Sequence, residues 1–196
     1  KRAELLAVLE LARRDGARTL LVSSGAAMGP QPPELTHMPE DFPGGPDPLS
    51  PGAPYAEGKR ASETLGALYA DVYGLQVTVA RGWAFLGPYL PLDANFAAGN
   101  FVADALAGRP IRIGGDGTPL RGYLDGEDLA AWLWTLLARG ASKRAYNVGG
   151  EDVVSIGELA TRIGALAGVP VTIAKQPQPG QLPSRYVPAT RRAREE

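Results

Sequence analysis

The chain has 196 residues, 44% hydrophobic and 21% charged, with a net charge of −1. That balance is ordinary for a globular protein and carries no electrostatic footprint for nucleic acid or an anionic membrane surface. It has no cysteine, which excludes disulfides, thiol catalysis and cysteine-based metal sites, and its one histidine, His37, excludes a histidine-rich metal centre.

Along residues 1–15, Leu5, Leu6, Leu9 and Ala12 recur at helical spacing opposite Glu4, Glu10, Arg13 and Arg14, which predicts an amphipathic helix. The chain opens inside this pattern, as expected of a piece from the middle of a longer protein. Thr19 to Val22 is a short continuous apolar run, suited to a strand buried on both faces of a parallel sheet. It runs into Ser23-Ser24-Gly25-Ala26-Ala27-Met28-Gly29. Small residues at the carboxyl end of such a strand leave room for a ligand, although a turn with nothing bound fits them equally well. Residues 30–54 hold half of the chain's 18 prolines and read as an extended loop.

Pro54 suits the first turn of a helix over 54–73, which Gly74 ends. Tyr55 and Lys59 stand four apart, on one face and about one turn from each other. A cation that close favours an ionised phenol, so a tyrosine in that setting can pass protons near neutral pH. Alone, this pair is also what a surface helix carries by chance. The stretch from Gly52 to Lys59 is not a P-loop, since its glycine spacing is too long by one and Arg60 stands where Ser or Thr is needed.

Residues 75–80 predict a second buried strand, ending at Arg81. Strand, helix and strand in this order imply a parallel sheet. Gly82 to Pro88 reads as a strand-end loop whose Trp83 and Phe85 serve either a flat ligand ring or the core. A helix over 95–107, a short strand 111–113, a glycine turn at 114–117 and a strand around 121–124 follow. Arg121 is either a phosphate clamp or a solvated surface arginine. An apolar helix over 128–139, a sheet strand over 145–150, and a helix over 155–167 capped by Ser155 and Glu158 lead to a last strand, 169–173. The tail 176–196, rich in Pro and Arg, reads as a solvated end. No apolar run is long enough to span a membrane, so the expected location is the cytoplasm.

Taken in order, Val22-Ser23-Ser24 with Gly29, Tyr55-x-x-x-Lys59, Glu63, Arg81 through Gly87-Pro88, Gly114 to Gly117 with Arg121 and Asp128, and Tyr146-Asn147-Val148-Gly149-Gly150 resemble the extended short-chain dehydrogenase/reductases, the NAD-dependent nucleotide-sugar epimerases and dehydratases. The resemblance implies an α/β fold: a partial Rossmann domain, doubly wound on a parallel sheet, with a small α+β C-terminal substrate domain. Residues 1–87 would be the C-terminal half of the NAD-binding domain. Residues 88–196 would mainly bind the nucleotide sugar, with 145–168 returning to the Rossmann sheet. Tyr55 would be the acid/base, Lys59 would bind the nicotinamide ribose, and Ser24 would hold the sugar oxygen. Ser23, Tyr55, Lys59, Ala84 and Phe85 would line the NAD site; Ser24, Asn100 and Arg121 would line the substrate site. No metal is implied, and the partners would be a nucleotide sugar and a second copy in a homodimer.

The chain departs from the family pattern in places. The glycine-rich loop and the acidic residue that reads the adenosine ribose are absent. Gly25-Ala26 stand where sugar 4,6-dehydratases carry Asp-Glu, Met28 stands where a Tyr is usual, and Ala84 where an Asn is usual. The expected activity is therefore that of a nucleotide-sugar 4-epimerase or related ketoreductase. A dTDP-glucose type 4,6-dehydratase and a non-catalytic NAD-binding relative are the alternatives.

Overall fold

The computed structural model describes residues 2–92, 94 and 96–196, with the side chains of Arg2 and Ala3 left out. Lys1 and Asn95, the first residues of two helices read from the sequence, lie outside the described residues. Helix α1 (Arg2–Asp15) leads to β1 (Thr19–Ser24), a 3-10 turn (Gly25–Met28), α2 (Ala53–Tyr73) and β2 (Val77–Gly82). After β3 (Ala84–Leu86), α3 (Ala97–Leu106), β4 (Ile111–Ile113), β5 (Leu120–Asp125) and α4 (Gly126–Arg139), the chain returns as β6 (Arg144–Val148). It closes with β7 (Val153–Ser155), α5 (Ile156–Ala167), β8 (Val171–Ile173), β9 (Arg185–Tyr186) and α6 (Arg191–Glu195).

The first sheet is parallel, in the order β1-β2-β6. Alternation along a strand sends neighbouring side chains to opposite faces, and both faces are apolar here. Val77 packs with Leu9, Ala12 and Tyr69 of α1 and α2, while Ala80, Tyr146 and Val148 pack with Leu136 of α4. Helices on both faces of a parallel sheet are the doubly wound arrangement the residues imply.

The second sheet runs β3-β5-β7, with β9 also on β5; only the β5–β7 pairing is antiparallel. A third pair, β4–β8, backs a separate core of Ala98, Phe101, Ile111, Ile113, Leu159 and Ala160. Within the segment expected to return to the first sheet, β6 pairs with β2, whereas β7 pairs with β5 and α5 packs on this separate core. The two sheets meet closely where β5 passes Gly149-Gly150. A Cβ on Gly122 would lie 1.9 Å from the Gly150 carbonyl oxygen, and one on Gly150 would lie 2.1 Å from that of Tyr123. Only glycine allows the two backbones this approach.

Two expectations are corrected. The stretch after Arg81, read as a loop, contains β3, because it finds the edge of β5. The tail is not simply a solvated end. Val187 is fully buried, and the loop before α2 pairs with it through Met38, whose N–H donates to Val187 O (2.8 Å) while Ala189 N–H donates to Met38 O (2.9 Å). The tail's charges find partners that composition does not reveal: Arg192 donates to Ala145 O at 2.8 Å, Arg194 pairs with Glu151 at 3.5 Å, and the Glu196 carboxylate accepts from Arg144 and from Tyr146 Oη. Residues 176–182 of the tail are exposed, as the reading expects.

Candidate active site

The site gathers at the carboxyl end of β1. Register places Ser23 beside Arg81 and Ser24 beside Gly82. Ser24 also caps the 3-10 turn, its Oγ accepting the Ala26 N–H at 3.2 Å. That turn fixes one lone pair of a buried hydroxyl at the strand's end.

Helix α2 crosses this end. Tyr55 lies in its first turn with 60% of its surface exposed, and Lys59 follows one turn later. Lys59 Nζ donates to Val22 O at 2.9 Å and sits 5.8 Å from the centre of the Tyr55 ring. The lysine thus ties the helix to the carboxyl half of β1, and an ammonium with three donors keeps two for other acceptors.

One turn further on, Glu63 fixes the same geometry from below. Ser23 Oγ donates to Glu63 Oε1 at 2.5 Å, and Arg81 grips the carboxylate with Nη2 on Oε2 at 2.8 Å and Nε on Oε1 at 3.1 Å. The two side chains are only 15% and 16% exposed. A fork-on-carboxylate pair with a third donor fixes orientation as well as distance. Arg81 Nη1 also donates to Glu40 O at 2.8 Å, which draws the proline-rich loop onto the site.

Asn147, 0% exposed at the end of β6, ties the rest of that loop down. Its Nδ2 donates to Met38 O (2.8 Å) and Ala189 O (3.1 Å), its Oδ1 accepts from Trp83 Nε1 (3.0 Å), and its own N–H donates to Glu40 Oε1 (3.1 Å). Trp83, held in this way, closes one side of the site. A Cβ on Gly25 would lie 2.6 Å from its ring, so position 25 admits no side chain, and Ala26 offers only a methyl.

The structure therefore brings Ser23, Ser24, Tyr55 and Lys59 to one strand end. Ala84 lies on β3 opposite Tyr123, and the Phe85 ring packs beside Gly82 against the core around Ala80. Asn100 is exposed on α3. Arg121 is partly buried on β5, its Nη1 donating to Leu120 O at 2.8 Å and its guanidinium 5.9 Å from the centre of the Tyr186 ring. Burial pulls its pKa down, with Tyr123 and Tyr186 acting in the opposite sense.

One contributor was not legible beforehand, and another was legible only as a member of the motif set. Tyr186 reaches Ser24 from the far end of the chain, and no local spacing announces it. Glu63 stands four residues after Lys59, and that spacing marks it as a residue of the same helix face.

A profile of the NAD dependent epimerase/dehydratase family matches residues 4–149. The UDP-glucuronic acid decarboxylase 1 of Xenopus tropicalis is 32% identical over 96% of this chain and 44% of its own length. The UDP-glucuronic acid decarboxylase 5 of Arabidopsis thaliana is 30% identical over 97% of this chain and 55% of its own. The chain thus spans about half the length of these relatives. Among solved structures, a dTDP-glucose 4,6-dehydratase from Bacillus anthracis in complex with NAD superposes with a TM-score of 0.82 at 22% identity, over 98% of this chain and 59% of that one. A UDP-glucose 4-epimerase from Thermotoga maritima with UDP-glucose gives 0.81 at 24%, over 97% and 60%. No helix among the described residues is long and apolar enough to cross a membrane.

Proposed function

Because the chain belongs to the NAD dependent epimerase/dehydratase family, we propose that it carries the proton-transfer and substrate-holding half of an enzyme that oxidises a nucleotide sugar transiently. The observation that carries this is the Lys59 bridge from α2 to Val22 O, which sets Tyr55 and Ser24 around one strand end.

The donor set fits NAD. Lys59 keeps two N–H donors for ribose hydroxyls, and Tyr55 is open on the same helix face. NAD, when bound, supplies the hydride acceptor and donor. The chain's own residues do the rest. Ser24 Oγ holds the sugar oxygen, and Tyr55 Oη takes the hydroxyl proton and later returns it. Ala84 and Phe85 extend the cofactor side from β3, while Asn100 and Arg121 serve the substrate side. In this reading residues 1–87 bind cofactor and 88–196 mainly bind the nucleotide sugar. The full-length protein is a homodimer.

The middle step distinguishes the possible activities. Dehydration needs an acid and a base beside the sugar, and Gly25-Ala26 supply neither, with Trp83 filling the space over position 25. Epimerisation at the oxidised carbon needs only that the ketone turn over before it is reduced again. Decarboxylation is the second reading, favoured by the decarboxylase relatives at 30–32% identity. A ketone beside the carbon that bears a carboxylate lets carbon dioxide leave without an enzyme acid. A 4,6-dehydratase and a non-catalytic NAD-binding protein are the outcomes this reading argues against.

The test is product analysis by mass and NMR with the full-length protein and a panel of UDP- and dTDP-sugars, including UDP-glucuronic acid. An inverted sugar of unchanged mass, or loss of carbon dioxide, supports the reading. Loss of water contradicts it, and so does NAD binding without turnover.

A further inference from the structure

Among the described residues, Ser24 Oγ has two hydrogen-bonding neighbours. One is the Ala26 N–H at 3.2 Å; the other is the Tyr186 hydroxyl at 3.4 Å, from a residue 162 positions away. A serine hydroxyl has one proton to give and two lone pairs to fill. The Ala26 amide fills one, and a phenol O–H that fills the second leaves Ser24 with its own proton as the only group free to meet a substrate oxygen.

We infer that Tyr186 is a positioning residue: its hydroxyl holds Ser24 as a hydrogen-bond donor aimed at the substrate oxygen. This rests on the reading of Ser24 under Proposed function.

Tyr186 is fixed well enough to do this. It lies on β9 in register with Arg121 of β5, its ring centre is 4.4 Å from that of Trp83, and the guanidinium of Arg121 is 5.9 Å from it. On its carboxyl side Val187 is fully buried, and the Val187 N–H donates to Gln31 Oε1 at 2.8 Å. Burial pushes the phenol pKa up, and the neighbouring Tyr55 adds to that, while Ser24, the Ala26 N–H and the charge of Arg121 act in the opposite sense. At 3.4 Å the contact is longer than a formed hydroxyl–hydroxyl bond, as catalytic contacts commonly are before substrate tightens them.

The arrangement also accounts for the small residues after Ser24. Trp83, whose ring packs on Tyr186, occupies the space where a side chain at position 25 would stand.

The experiment is a double-mutant cycle in the full-length, NAD-loaded protein with Tyr186→Phe, Ser24→Ala and the pair, joined to an ultraviolet titration of the phenols. Tyr186→Phe should lower kcat about tenfold while changing the substrate KM far less. It should add nothing to Ser24→Ala, because its effect passes through the serine. Losses that multiply, or an unchanged kcat in Tyr186→Phe, overturn the inference. The titration needs no substrate. The phenol that disappears in Tyr186→Phe should ionise at a different pH once Ser24→Ala removes its partner, and an unmoved titration also overturns the inference. A wild-type protein that turns over no nucleotide sugar instead sinks the activity reading, and the titration then decides the Ser24–Tyr186 contact alone.

Discussion

Ser24 is approached by two regions that differ in how the chain builds them. Helix α2 brings Tyr55, Lys59 and Glu63 on one face, at intervals of four, so a single helix sets the whole group once it docks on β1. The tail brings one residue, Tyr186, and needs long-range anchors to do so, among them β5 beneath β9, Gln31 and Met38 on Val187, and Asn147 on Ala189. The first region is local geometry reinforced by packing. The second is tertiary placement throughout, so damage far from Ser24 should reach it through the tail more readily than through the helix.

The largest expected effect lies on the helix side and is chemical. Tyr55→Phe removes the hydroxyl that moves the proton and should lower kcat about 10²–10⁴-fold, with the melting temperature nearly unchanged because the side chain is mostly exposed. Glu63→Ala tests the support beneath it. It leaves the Arg81 cation without its carboxylate at a site only 15% exposed, and should cost about 3 kcal/mol in chemical denaturation. Replacing both Glu63 and Arg81 by leucine should recover much of that, since no lone charge remains.

On the tail side, Asn147→Ala strips partners from Trp83 Nε1, Met38 O and Ala189 O together. It should cost about 2–3 kcal/mol and, unlike Glu63→Ala, loosen the tail first, seen as faster amide exchange at Val187 and Ala189. If both variants loosen the tail equally, the two regions are not separate supports.

The smallest effects fall on α5, away from both. Ser155→Ala breaks the capping box and should cost about 1 kcal/mol. The Ser155 N–H that donates to Glu158 holds its carboxyl below the ordinary 4.5. A depressed folded value adds stability above the unfolded value and loses it as pH falls through the folded one. Glu158→Gln should therefore flatten the melting-temperature profile below about pH 4.5 and leave turnover intact.

The contrast between the regions also explains what could be read from the residues. Apolar runs and spacing of four are properties of adjacent residues, so β1, α2, the Tyr55–Lys59 face and the Ser155 cap were all legible. The pairing of β9 with β5 depends on residues some sixty apart, and a tail of Arg, Pro and Glu carries no periodicity to suggest it. Asn147 was visible within a recurring motif, but its role as the tie between loop and tail needed Met38 and Ala189 in place. Gly25-Ala26 were legible as missing proton carriers. That Trp83 fills the space over position 25 was not.

The most direct test of the account is stopped-flow absorbance of the reduced nicotinamide, after mixing the NAD-loaded full-length protein with the nucleotide sugar it turns over. The account predicts a transient rise and fall within one turnover in the wild type, and none in Tyr55→Phe. Product formed with no reduced cofactor on the way, or the same transient in Tyr55→Phe, would contradict it.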